Sequence, residues 1–124
     1  MSDTIKVYKD EKYDQLVQIA YIFKYGKLQS YSVIFDTNEL YFPDIKTLYS
    51  SIKEQVEQEN NIKLEEKYIW KYGNSEDYEK AIIDGILRIE SKAELASSNI
   101  TIRIHGNNGK IMLVLLNDSK IGKK

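Results

Sequence analysis

The stretch "YIFKYGKLQSYSVIF", residues 21–35, decides the fold because it reads as two strands joined by a turn at Gly26. Six of the nine residues from Val17 to Tyr25 are β-branched or aromatic, which strands favour and helices tolerate less well. The alternation predicts a strand from about Val17. A helix over residues 13–25 is the alternative, because apolar residues also recur there at helical spacing before a Gly26 cap.

The length of the hairpin loop decides which residues face each other. A two-residue Gly26-Lys27 loop would place aromatic residues opposite serines. A loop of three or five residues gives apolar pairs instead, namely Phe23 with Tyr31, Tyr21 with Val33 and Ile19 with Phe35. We therefore expect the longer loop, with the odd-numbered residues on the buried face.

Short segments flank this hairpin on both sides. Upstream, "IKVY" (residues 5–8) is a candidate first strand, and "KDEK" (9–12) is typical of a turn or a helix start. Downstream, "DTNE" (36–39) indicates a turn, and "LYF" (40–42) is predicted to form a short third strand.

The next segment has the spacing of an amphipathic helix. Pro43 suits its first position, Asp44 complements its positive end, and Asn60-Asn61 ends it. The apolar stripe consists of Ile45, Leu48, Tyr49, Ile52 and Val56.

A strand and a second helix are predicted after it. "KYIWKYG" (67–73) alternates, which predicts a strand with Tyr68, Trp70 and Tyr72 on one aromatic face. Asn74 or Ser75 can cap a helix that continues at helical spacing to Ile89. The alternative ends this helix at "DG" (84–85) and makes "ILRIE" (86–90) a strand.

The C-terminal part predicts a second hairpin. "SKAE" (91–94) offers a capping box for a short helical turn. An Asn107-Asn108 turn then pairs Ile104 with Ile111, Ile102 with Leu113 and Ile100 with Leu115. Residues 111–116 are apolar on both faces, which predicts a central, covered strand.

Together these elements predict an α+β fold: a mostly antiparallel sheet of five or six strands with two amphipathic helices packed on one face. Residues 1–116 form one domain in this interpretation, and residues 117–124 form a flexible C-terminal tail. The chain has 124 residues, of which 42% are hydrophobic, enough for one core.

Charge and composition narrow the function classes. The net charge is −1, and Arg88 and Arg103 are the only arginines, which disfavours strong nucleic-acid binding. The chain has no cysteine, no secretory leader and no apolar run long enough to cross a bilayer, so we expect a cytoplasmic protein without membrane contact.

No motif in the sequence predicts catalysis, a metal site or a cofactor. His105 is the only histidine, too few for a zinc site, and it lies beside a turn. "GNNG" (106–109) lacks the ending of a phosphate loop, and no serine lies in a nucleophile elbow. We therefore expect a protein that is not an enzyme.

The hypothesis that remains is a small binding module of the inhibitor, immunity or adaptor type, of phage or mobile-element origin. It would present a preformed surface to one protein partner. The expected anchors are Tyr25, Trp70 and Tyr72, with Glu54 and Glu57 in a polar rim. A homodimer formed through an exposed edge strand is a further expectation.

The alternative is a nucleic-acid-binding domain that uses the sheet aromatics and their neighbouring lysines.

Overall fold

Seven antiparallel strands form one sheet, with two helices against it, in the part of the chain that the structure describes. A computed structural model describes residues 4–12 and 15–119. In chain order the elements are β1 (Thr4–Lys12), β2 (Gln15–Lys24), β3 (Lys27–Phe35), α1 (Phe42–Asn60), β4 (Glu65–Trp70), α2 (Tyr78–Ile83), β5 (Leu87–Glu94), β6 (Ser98–Asn107) and β7 (Lys110–Ser119). The predicted α+β class is confirmed, but the sheet has seven strands rather than five or six.

The strand order is β1-β2-β3-β7-β6-β5-β4. The chain builds β1 to β3 as a meander, crosses through α1 to β4 at the opposite edge, and returns inward until β7 pairs with β3. β7 therefore occupies the central position that its apolar sequence predicts, and β1 and β4 are the two edges.

Both helices contribute to one core on the same side of the sheet. The core takes Ile45, Tyr49, Ile52 and Val56 from α1, Ala81 and Ile82 from α2, and side chains such as Val17, Ile19, Val33, Phe35, Ile102, Ile104, Leu113 and Leu115 from the strands. We call this side the helix face. The other side, the open face, carries no helix among the described residues.

The first hairpin keeps the predicted faces but not the predicted register. β2 is a strand, as expected, and it turns through Tyr25-Gly26, both at positive φ (54° and 77°), as in a two-residue type I′ turn. A bulge after Ile22 then restores matching faces, so that Tyr21 pairs with Tyr31 rather than Val33. The prediction of a longer loop was wrong because it did not include a bulge.

The second hairpin shows the same kind of error. Its turn is Asn108-Gly109, both at positive φ, rather than Asn107-Asn108. Ile104 therefore pairs with Leu113 instead of Ile111. Moving the turn by one residue shifts each pairing by two, and a shift of two preserves the face.

Two flanking predictions were also wrong. Residues 9–12 continue β1, because a charged strand is tolerated at a sheet edge, where its side chains remain in water. Residues 40–42 form no strand: Tyr41 is the N-cap of α1, which begins at Phe42. The helix itself ends at Asn60 with a left-handed Asn61, as predicted.

The second helix is much shorter than the pattern to Ile89 suggested. Asp77, rather than Asn74 or Ser75, caps α2 by accepting a hydrogen bond from the backbone of Lys80. Gly85, at φ 77°, ends the helical segment, so the alternative reading of a strand after "DG" is the correct one.

β5 runs through residues 91–94, where a helical turn was expected. Residues 117–119, expected in the tail, complete β7. The remainder of the tail and residues 13 and 14 of the alternative helix lie outside the described residues. No helix in the described ranges has both the length and the apolar character needed to cross a membrane.

Candidate functional site

The predicted anchor Tyr25 lies far from the other two. It occupies the β2–β3 turn and is 75% exposed, whereas Trp70 ends β4 and Tyr72 follows it. β2 and β4 are five strands apart, about 24 Å at the usual spacing between strands. The structure therefore does not combine the three rings in one surface.

Trp70 and Tyr72 do lie together around a cavity of about 230 Å³ next to α2. Trp70 is partly buried against the core, with its ring centroid 6.0 Å from that of Tyr78. Tyr72 is 66% exposed. Of these two rings, Tyr72 is the accessible one, and Trp70 contributes mainly to packing.

The two predicted rim residues lie on the C-terminal half of α1. Glu57 accepts a hydrogen bond at Oε2 from the backbone N–H of Leu64, 2.8 Å away, and so ties the end of the helix to the segment before β4. Glu54 is exposed and its Oε1 lies 3.5 Å from Nε2 of Gln58, one helical turn away. The role of Glu57 in this geometry is structural.

The open face has an apolar half, formed by β1, β2, β3 and β7. Its apolar residues are Ile5, Val7, Leu16, Ala20, Ile22, Ile34, Met112, Val114 and Leu116, and Lys9, Gln18 and Ser32 lie among them. Ile5, Val7 and Leu16 are 66%, 59% and 65% exposed. At one corner, Leu16, Ile34 and Met112 line a cavity of about 640 Å³.

The other half of the open face is charged, and Glu90 of β5 lies at its centre. Its side chain is only 1% exposed, because three cations cover it. Nε of Arg88 lies 3.0 Å and Nε of Arg103 2.7 Å from Oε2, and Nζ of Lys92 lies 3.2 Å from Oε1. We call these four residues the Glu90 cluster.

The charges in this cluster do not cancel. Among the described residues, Arg88 and Arg103 form ion pairs with no carboxylate other than Glu90. Burial alone would raise the pKa of Glu90, but the hydrogen bond from Lys92 and the charges of Arg103 and Arg88 outweigh it and lower that pKa. Glu90 is therefore ionised at neutral pH, and the cluster has a net positive charge.

His105 lies beside the cluster on β6. Burial, together with the positive charges of Arg103 and Arg88, lowers its pKa, so the imidazole is neutral at pH 7; Glu90 acts weakly in the opposite direction. Its Nδ1 is buried and has no hydrogen-bond partner among the described residues.

A cavity of about 470 Å³ opens next to this histidine, where β4, β5 and β6 meet the loop after α2. Its cationic lining comes from Lys71, Arg88 and Arg103, and its apolar lining from Ile69, Ile86 and Leu87. Chemically, such a wall can hold an anionic group next to an apolar body.

A second buried polar contact lies inside the core. The hydroxyls of Tyr49 and Ser91 are hydrogen-bonded to each other, and burial raises the pKa of Tyr49 despite that bond. Neither residue lines the cavities of about 230, 470 and 640 Å³, and the contact joins α1 to β5.

The sequence interpretation missed the Glu90 cluster although its signal was present. Arg88, Glu90 and Lys92 alternate with Leu87, Ile89 and Ser91, the period of a strand with one charged and one buried face. Extending the helix to Ile89 concealed that alternation.

No protein-family model matches this chain, and neither does any curated protein or solved structure. Within the described residues, no three His, Asp or Glu side chains are grouped so that they could hold a metal ion.

Proposed function

We propose that this protein is a non-enzymatic binding module, of the inhibitor, immunity or adaptor type, that docks one protein partner on the apolar half of its open face. One observation carries the proposal: Ile5, Val7 and Leu16, on the two strands at one edge of the open face, each expose more than half of their surface. Apolar surface of this kind, bordered by charged residues, is typical of protein–protein contact.

The pairing of the strands brings most of these residues together, while Lys9 and Gln18 lie between Val7 and Leu16. Val7, Ala20, Ser32 and Leu116 form one row across four strands, and Ile34 and Val114 are neighbours in the next row. Fully burying one Val, Leu or Ile side chain contributes about 1.5–3 kcal/mol, so a few of these residues suffice for appreciable affinity.

Of the three predicted anchors, only Tyr25 belongs to the proposed docking surface. Tyr25 is exposed at the tip of the hairpin that also carries Ile22, and it extends the apolar half toward that end of the sheet. Tyr72, Trp70, Glu54 and the structural Glu57 belong to the opposite edge or to α1 and are left out of the docking surface.

The nucleic-acid alternative lacks supporting geometry. Stacking on a sheet requires rings on the uncovered side, but Tyr21, Phe23 and Tyr31 share the helix face. The open-face positions of the described strands carry no Phe, Tyr or Trp, and their one ring is the imidazole of His105.

The proposal is tested with a double variant, Val7→Lys and Leu16→Lys, at two exposed positions where the fold loses little. The matched control is Tyr41→Lys, because Tyr41 is 80% exposed and lies in the loop before α1. Tagged wild type and both variants are recovered from native cells after crosslinking. We expect one stoichiometric partner with the wild type and the control, reduced about tenfold or more with the double variant.

Three outcomes would contradict the proposal. One is equal recovery of the partner with the double variant. Another is a wild-type dimer in light scattering that the double variant abolishes, since the occupant is then a second copy of the chain. The third is recovery of oligonucleotide that is lost with rising salt.

A further inference from the structure

The cavity of about 470 Å³ at the end of β4, β5 and β6 lies outside the apolar half and concentrates the chain's arginines. Arg88 and Arg103 stand on neighbouring strands, and both contact Glu90 through Nε. That carboxylate is almost fully buried, and its ion pairs with both guanidinium groups fix their positions. Both also line the cavity, together with Lys71.

The charge of the cavity wall is strongly one-sided. Lys71, Arg88 and Arg103 are cations, His105 is neutral, and no carboxylate lines the cavity. A guanidinium fork binds carboxylate and phosphate oxygens more specifically than an ammonium group does. A site with two preorganised arginines in an otherwise Lys-rich chain therefore favours an oxyanion.

The remaining walls limit the size and nature of the ligand. Ile69, Ile86 and Leu87 add apolar lining, and the volume falls in the range of small-molecule sites. His105 also lines the cavity, although its Nδ1, which has no hydrogen-bond partner among the described residues, is itself buried.

We propose that this cavity binds a small organic anion, whose carboxylate or phosphate group contacts Arg88, Arg103 and Lys71 while its apolar part lies against Ile69 and Ile86. The site does not depend on the docking surface of the apolar half, so either proposal can fail without the other.

The test uses NMR spectra of the full chain titrated with phenyl phosphate, benzoate and inorganic phosphate, each against sodium chloride of equal ionic strength. We expect saturable shifts around Arg88, Arg103, His105 and Gly106. The first two ligands distinguish a phosphate from a carboxylate preference, and inorganic phosphate shows how much the apolar part contributes. The only histidine provides a second signal, because a bound anion raises the pKa of His105.

Two variants and one matched control locate the binding. Arg88→Gln leaves Glu90 paired with Arg103 and Lys92, so the fold is retained, and it should weaken binding about tenfold. Lys71→Gln should weaken it a few-fold, since this lysine is exposed. Lys67→Gln is the control for general charge, because Lys67 lies in the middle of β4, opposite Glu90, but pairs with Glu65 and does not line the cavity.

Unchanged affinity in Lys67→Gln together with losses in the other two variants supports the proposal. Shifts that do not saturate, or that match those caused by chloride, would overturn it and leave the Glu90 cluster as a structural ion network. Equal losses in Lys67→Gln and Lys71→Gln would also overturn it, because they indicate attraction by general charge only.

Discussion

The hydroxyl of Tyr49 on α1 is hydrogen-bonded to the hydroxyl of Ser91 on β5, and neither side chain is accessible beyond a few per cent. The pair lies in the core, with Glu66 of β4 also acting on the Tyr49 hydroxyl, and a buried hydroxyl that loses its partner keeps its desolvation cost. This contact joins α1 to β5 inside the core.

Removing both hydroxyls of this pair should cost less than the sum of the two single removals. We expect Tyr49→Phe and Ser91→Ala each to lower the free energy of unfolding by about 1–3 kcal/mol, and the double variant to lose less than their sum. Urea unfolding followed by circular dichroism measures all four corners of the cycle. Strictly additive losses would show that the two hydroxyls do not depend on each other.

Gly106 should not tolerate a side chain. A Cβ at this position would overlap the carbonyl oxygen of Ile82 in α2 and lie 3.2 Å from that of Ile83, so the helix would have to move. We expect Gly106→Ala to destabilise the protein by about 1–3 kcal/mol. Asn107→Ala, at the exposed next position on β6, should change stability little; equal effects of the two substitutions would argue against close packing of α2.

Glu90→Gln should destabilise the protein at neutral pH by about 1–3 kcal/mol, because the partly exposed Arg88, Arg103 and Lys92 lose their shared counterion. The pKa of Glu90 in the folded protein is below its usual value of 4.5. The ionised carboxylate therefore stabilises the fold fully above about pH 4.5, and this stabilisation is lost as the pH falls through the folded-state pKa.

The comparison of wild type with Glu90→Gln is therefore made by urea unfolding at pH 7 and again in acid. Their free energies of unfolding should converge in acid. A difference that stays constant across this range would mean that the loss comes from packing rather than from the charge of the carboxylate.

Trp70 and Tyr72 should respond differently to truncation. Trp70→Ala removes a ring packed against Tyr78 and the core, and we expect a loss of about 2–4 kcal/mol in unfolding free energy. Tyr72→Ala, at a 66% exposed position, should stay within about 0.5 kcal/mol of wild type. Thermal and urea unfolding measure both; a stable Trp70→Ala would return Trp70 to the set of binding anchors.

In the first hairpin, the alternation of apolar and polar residues predicted the buried face but not the register. Alternation correctly placed Val17, Ile19, Val33 and Phe35 on the buried face, because the side chains of a strand repeat with period two. It could not give the register. Two arrangements bury the same side chains: a tight Tyr25-Gly26 turn with a bulge, and a longer loop without a bulge. The strand pairings in these two arrangements differ by only two residues.

The Glu90 cluster illustrates the opposite case. Arg88 and Glu90 lie close in sequence, but Arg103 reaches them only because β6 pairs with β5, opposite Glu90. Residues 86–90 also fit helical spacing, so they give no local reason to expect that pairing.

By itself, then, the sequence determined the α+β class, the long helix from Pro43 and which side of each hairpin is buried, because these depend on local periodicity and capping. Only the tertiary structure decided the order of the seven strands, their register and the convergence of Arg88 and Arg103 on one buried carboxylate. Those features depend on contacts between residues distant in the chain, and several arrangements satisfy the same alternation of apolar and polar residues.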